Sequence, residues 1–163
     1  MQKNYWTRLT QYKFAIYYYN AHIARCVAIN RAIKIIVAVS SSAAIAAWAT
    51  WTQHAFYWGL IIVVSQVVSA VNELLPYRNR IKELSGTVSE VTPIYNQMEK
   101  DWFNVAEGMW SEEEINENMY KYIGQWSEIE GQLLKDDSLP HKQSCIDKAE
   151  EEKNSYFERC FGG

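Results

Sequence analysis

Acidic residues are missing from the first 72 positions of this chain. All 19 Asp and Glu lie at or beyond Glu73, while Lys3, Arg8, Lys13, Arg25, Arg31 and Lys34 make the opening stretch +6 and the remainder −9. That asymmetry suits a basic portion beside an anionic surface and an acidic portion in water, and it argues against general nucleic-acid binding by the C-terminal half. Glycine is scarce, at seven residues, and neither a Walker loop nor a G-x-G-x-x-G phosphate cradle is present. H-E-x-x-H and G-x-S-x-G are absent too, and three histidines leave little material for acid–base catalysis, so no enzyme activity is expected. Cys26, Cys145 and Cys160 form no even set and no C-x-x-C pair, which predicts reduced thiols in a cytoplasmic setting. His141 and Cys145 can share a helix face but fall short of a tetrahedral zinc set, and Glu150 to Glu152 lack calcium-loop spacing, so no metal or cofactor is expected.

Formal charge is also absent from Ile35 to Asn72, a run of 38 residues in which His54 is the one ionisable side chain of interest. A single helix needs about 20 residues to cross a bilayer, and a polar midpoint, Thr50, Thr52, Gln53 and His54, divides this run in two. The division predicts spans over Ile33 to Trp51 and Ala55 to Leu75. No cleavable leader precedes them, so the run is expected to remain in the mature chain. Trp48, Trp51, Phe56, Tyr57 and Trp58 crowd the turn, where aromatic rings favour the headgroup layer. Arg25, Arg31 and Lys34 before the pair, with Arg78, Arg80 and Lys82 after it, place both termini in the cytoplasm by the positive-inside rule. The remaining residues, many of them charged, are too few to enclose so long an uncharged run in a water-borne core.

Ala38, Ser42, Ala46 and Thr50 recur every fourth residue of the first span, and Ser65, Ser69 and Asn72 share a face of the second, with Gln66 beside it. Small and polar residues in spans serve close helix packing, or they line water. In the second case Ser40, Ser41, Ser42, Ser65, Gln66, Ser69 and Asn72 are the candidate pore lining. Two helices cannot enclose a pore, so a channel requires a homo-oligomer.

Residues 1–32 read as a basic helix rich in aromatics, suited to the cytoplasmic face of an anionic bilayer, or to stacking and clamping a nucleotide. Beyond the spans, Leu74, Tyr77, Ile81, Leu84, Val88, Val91, Tyr95, Met98, Trp102, Val105 and Met109 alternate by three and four, a coiled-coil seam that Pro76 and Pro93 should bend or break. Ser111 and Glu114 form a capping box that opens a second helix bearing Ile115, Met119, Tyr122, Trp126, Ile129 and Leu133. A third helix from Pro140 carries Ile146, Ala149, Tyr156 and Cys160. No strand is predicted. The expected fold is all-α: a juxtamembrane helix (1–32), a transmembrane hairpin (33–75) and a cytoplasmic three-helix, coiled-coil-like domain (76–163).

Three features together, the basic aromatic lead from Trp6 to Lys34, the paired spans with their serine clusters Ser40, Ser41, Ser42 and Ser65, Gln66, Ser69, and the helix from Leu75, Pro76, Tyr77 and Arg78 to Met109, carry a likeness to a known class. In layout it resembles the SLATT class of two-transmembrane effectors found beside nucleotide-signalling enzymes in bacterial antiphage systems, Hailong-type systems included. The resemblance implies an oligomeric channel in the bacterial inner membrane, a tetramer for instance, that permeabilises or depolarises the host. Its opening would be controlled by a nucleotide or oligonucleotide from a partner nucleotidyltransferase-type enzyme. No ligand-contact motif carries over. On charge alone, Arg78, Arg80 and Lys82 are the phosphate candidates, and anchoring to lipid headgroups explains the same three residues. Two other readings fit the layout: a non-conducting scaffold that recruits a partner through its coiled coil, and a phage holin.

Overall fold

The computed structural model describes residues 1–48, 56–57, 59–60, 63–64, 66–67, 77–134 and 139–162. Its elements are α1 (Gln2–Trp48), α2 (Tyr77–Ala106), α3 (Glu112–Leu133) and α4 (Gln143–Phe161). The fold is all-α among the described residues, and the chain divides into two compact units, Met1–Ile23 with Lys82–Gly163, and Ala24–Ile81.

The first unit has one core, and heptads build it. Leu84, Val91, Met98 and Val105 recur every seven residues on α2, with Thr87, Tyr95 and Asp101 completing the buried face. Tyr5, Leu9, Tyr12, Ile16 and Tyr19 give α1 the same four-three alternation, and Ile115, Met119, Tyr122 and Trp126 repeat it on α3. α4 contributes Cys145 and Ala149, with Phe157 packed against the cluster. Contacts fix the directions. Tyr5 bonds through its hydroxyl to the Met98 carbonyl (3.0 Å) and the Gln2 side chain bonds to that of Val105 (2.8 Å), so α1 runs antiparallel to α2. Tyr12 stacks on Trp126 and Tyr19 bonds to Glu130, so α1 and α3 run parallel. Trp6 meets Phe157 and Phe161 edge-on, while Lys13 reaches Tyr156, which sets α4 antiparallel to α1. The result is a four-helix arrangement.

Residues 1–32 thus divide differently from the expected juxtamembrane helix. The first 23 residues belong to this unit as its fourth helix, with Tyr5, Tyr12 and Tyr19 packed in its core and Tyr17 and Tyr18 half-buried. The expected three-helix domain lacked this partner, and the seams of α2 and α3 close around it.

Local chemistry explains the helix ends. α2 finishes at Gly108, whose φ of +69° places it in the left-handed region that favours glycine. There the Met109 amide donates to the Asn104 carbonyl (2.9 Å) and the Gly108 amide to that of Val105 (3.2 Å), the Schellman pattern. Ser111 then opens α3 through the expected capping box. Its hydroxyl accepts from the Glu114 amide (3.3 Å), and the Glu114 carboxylate accepts from the Ser111 amide (2.7 Å), holding that carboxyl below its usual range. α2 continues unbroken through Pro93, and α4 starts at Gln143, after the expected Pro140. Cys160 is exposed, so the apolar face of α4 is completed by Phe157 instead.

In the second unit α1 reaches Trp48 without interruption, covering most of the first expected span. Residues 49–55, and most of the second expected span, lie outside the described residues. Among the described residues no helix is long and apolar enough to cross a membrane. Nine large apolar side chains described in this unit, Val27, Ile35, Ile36, Phe56, Tyr57, Leu60, Val63, Val64 and Val67, are each 46% exposed or more, while Ile29, Ile33 and Val37 are half-buried.

Candidate functional site

Three carboxylates organise the polar interior of the first unit, and each is held by two neutral donors. Glu130 Oε1 accepts from the Tyr19 hydroxyl and from Trp126 Nε1 (2.7 Å), joining α1 to α3. Glu99 Oε1 accepts from the hydroxyls of Tyr95 (2.7 Å) and Tyr156 (2.5 Å), joining α2 to α4. Asp101 accepts from Gln97 Nε2 (3.1 Å) on one oxygen and from the Tyr122 hydroxyl on the other, joining α2 to α3. Burial, followed by these carboxylate bonds, pushes the phenols of Tyr19, Tyr95, Tyr122 and Tyr156 above their ordinary value. Tyr5, whose hydroxyl meets a carbonyl instead, is raised chiefly by burial.

Around Glu99 the arrangement is structural. Lys13 Nζ sits 3.5 Å from the centroid of the Tyr156 ring and 4.3 Å from that of Tyr95, an aromatic seat for an ammonium. Burial lowers its pKa, and Glu99 partly opposes the shift. The nearby hollow of about 290 Å³ is lined by Tyr17, Glu151, Glu152, Ser155 and Arg159, and Lys13 does not line it. This lysine ties α1 to α2 and α4 rather than meeting a substrate.

Asp101 is placed differently, because it lines a cleft of about 480 Å³ between α2 and α3. Pro93, Gln97 and Asp101, each four residues apart, form the α2 wall together with the apolar Ile94; Asn118, Lys121, Tyr122 and Gln125 form the α3 wall. Trp110, half-buried in the connection that Gly108 and Ser111 shape, lines it as well. The cleft therefore offers a buried carboxylate, side-chain amides, an indole and one ammonium, a set able to orient a small polar planar molecule.

Of the site residues expected from sequence, only Arg80, Lys82 and Gln66 have described side chains, and none of the three is among the lining residues of the cleft. Arg80 is half-buried and has an interaction partner, and Lys82 is exposed; the Arg78 side chain lies outside the described residues. Among the candidate pore residues, Gln66 is exposed and helical. Ser40, Ser41 and Ser42 belong to α1, but their side chains, like Ser65, Ser69 and Asn72 altogether, lie outside the described residues. Sequence reasoning passed over the cleft entirely. Its signal was a second stripe on α2, Pro93–Gln97–Asp101, beside the apolar seam. No family model, no curated protein and no solved structure matches this chain.

Proposed function

We propose that this chain is an oligomeric channel of the bacterial inner membrane, with both termini in the cytoplasm and a helical cytoplasmic unit that receives a nucleotide signal in antiphage defence. The observation that carries the membrane reading is the uncovered apolar surface of the second unit, in and beside a stretch without formal charge. Full burial of one such side chain is worth about 1.5–3 kcal/mol. Nine of them, each about half exposed, amount to roughly 10 kcal/mol, comparable with the whole stability of a domain. Lipid and further copies of the chain are the cover that a hairpin with basic flanks would take. The channel itself, and its control by the product of a partner nucleotidyltransferase-type enzyme, follow the layout shared with SLATT effectors and the small and polar faces of the two expected spans.

Burial of the α2 seam favours this reading over a scaffold. Leu84, Val91, Met98 and Val105 are fully covered within the unit, so these four seam positions are closed to a recruited partner, and Met109, also expected in the seam, lies beyond the end of α2 and is exposed. A four-helix unit is likewise far more than the short charged tail a holin needs.

Two experiments test the proposal. Cys160 is the exposed thiol, Cys26 and Cys145 being buried. In spheroplasts a membrane-impermeant maleimide should leave it unlabelled until the membrane is opened; labelling of intact spheroplasts would remove the both-ends-inside topology. In cells coexpressing the partner enzyme, a voltage-sensitive dye should report depolarisation with the native chain, and none with an equally expressed variant carrying Ser65→Leu and Ser69→Leu. An unchanged potential with the native chain would overturn the channel.

A further inference from the structure

Asp101 is 9% exposed, lines the cleft between α2 and α3, and among the described residues is held by an amide and a phenol rather than by a cation. A carboxylate has about four lone-pair sites, so two bonds leave it able to accept more. Buried charges are ordinarily paired, and a carboxylate pairs best with two parallel N–H groups on a planar edge. Two common groups present such an edge: a guanidinium, and the Watson–Crick face of guanine, where N1–H and the 2-amino group lie side by side.

Charge separates the two. Lys121 lines the same cleft and is exposed, so it opposes a second cation there while offering a partner to a phosphate. A guanine nucleotide satisfies both ends, with a neutral donor edge for Asp101 and an anionic tail for Lys121. Trp110 supplies a ring against which a purine can stack. The Gln97 and Asn118 amides already donate one hydrogen each, to Asp101 (3.1 Å) and to the Glu114 carbonyl (3.0 Å), and the second hydrogen of each is what a base acceptor such as O6 or N7 would take. The volume, about 480 Å³, falls in the small-ligand range.

We propose that the cleft between α2 and α3 is a guanine mononucleotide site, with Asp101 reading the donor edge of the base, Trp110 stacking on its face and Lys121 meeting the phosphate. The assignment rests on the reading that a nucleotide controls this chain, and it places that control at Asp101 rather than at Arg78, Arg80 and Lys82.

The test is calorimetric titration of the full chain in detergent with GMP, AMP, guanosine and N-acetylarginine amide. GMP should bind at least about tenfold more tightly than AMP, whose edge sets a ring acceptor against Asp101. Asp101→Asn should weaken GMP about tenfold, and Lys121→Gln should weaken GMP but leave guanosine unchanged. Because Lys121 is exposed, its variant keeps the test valid if Asp101→Asn unfolds. AMP or N-acetylarginine amide binding as well as GMP would overturn the assignment, as would absence of GMP binding. Ion flux from liposomes holding the same preparation separates the two readings. A chain that conducts but ignores GMP loses this site alone, whereas one that binds GMP as described but never conducts keeps the site and loses the channel.

Discussion

Trp126→Ala should remove about 3–5 kcal/mol of stability from the first unit, the range for truncating a buried tryptophan. The indole is 3% exposed and lies flat on Tyr12, with centroids 4.0 Å apart and planes 7° apart. Its Nε1 donates to Glu130, which also receives the Tyr19 hydroxyl, so truncation empties the α1–α3 contact and strips one donor from a carboxylate. Domains are stable by only about 5–15 kcal/mol, so a loss of this size consumes a large share of the total. Trp126→Phe keeps a ring for Tyr12 and should lose far less. Urea unfolding followed by helical circular dichroism measures both; an alanine variant within about 1 kcal/mol of native would show that the stack is not part of the core.

The second large effect is alkaline. Tyr5, Tyr19, Tyr95, Tyr122 and Tyr156 all hold their protons more tightly folded than unfolded. A raised folded pKa contributes stability that is fully present below the unfolded phenol value of about 10 and is lost as pH climbs above it toward the folded value. Lys13, with its lowered pKa, acts in the opposite sense, since its unfolded form binds the proton more strongly and stability rises with pH through its window. Tyr12, Tyr17 and Tyr18 are raised as well, chiefly by burial, and one lysine against eight phenols leaves the net slope downward. The denaturant midpoint should therefore fall steeply between about pH 9 and about pH 12, with phenolate absorbance appearing together with unfolding. Tyr122→Phe should flatten that slope, and a midpoint that ignores pH over this range would dismiss the account.

What the sequence disclosed followed from how far apart the cooperating residues stand. The α2 seam and the Ser111–Glu114 box are local patterns, read from spacings of three, four and seven; the box appears where expected, and the seam does so from Leu84 to Val105, while Met109 falls past the helix end and is exposed and Leu74 lies outside the described residues. Tyr5, Leu9, Tyr12, Ile16 and Tyr19 carry an equally regular pattern, but the basic residues between them suited a membrane surface just as well. Burial alone separates those two uses, and spacing does not report it. Pairs such as Tyr19 with Glu130 and Tyr156 with Glu99, 111 and 57 residues apart, leave no periodic trace. The cleft shares that obscurity: Asp101 and Tyr122 sit on different helices, and an isolated Asp in an apolar seam reads as an interruption until its phenol partner is known.

The three shared carboxylates also restrict how the first unit can move. Each joins a different pair of helices: α1 with α3, α2 with α3, α2 with α4. Apolar seams of similar composition can slip by a turn, about 5.4 Å, and repack with modest loss. Here a slip of α1 along α3 would carry Tyr19 away from Glu130 and Tyr12 off Trp126 together, and the other two pairs are pinned in the same way. Axial sliding therefore costs the carboxylate bonds and the ring stack together, where a purely apolar seam would lose little, so the three bonds set the register of the four helices.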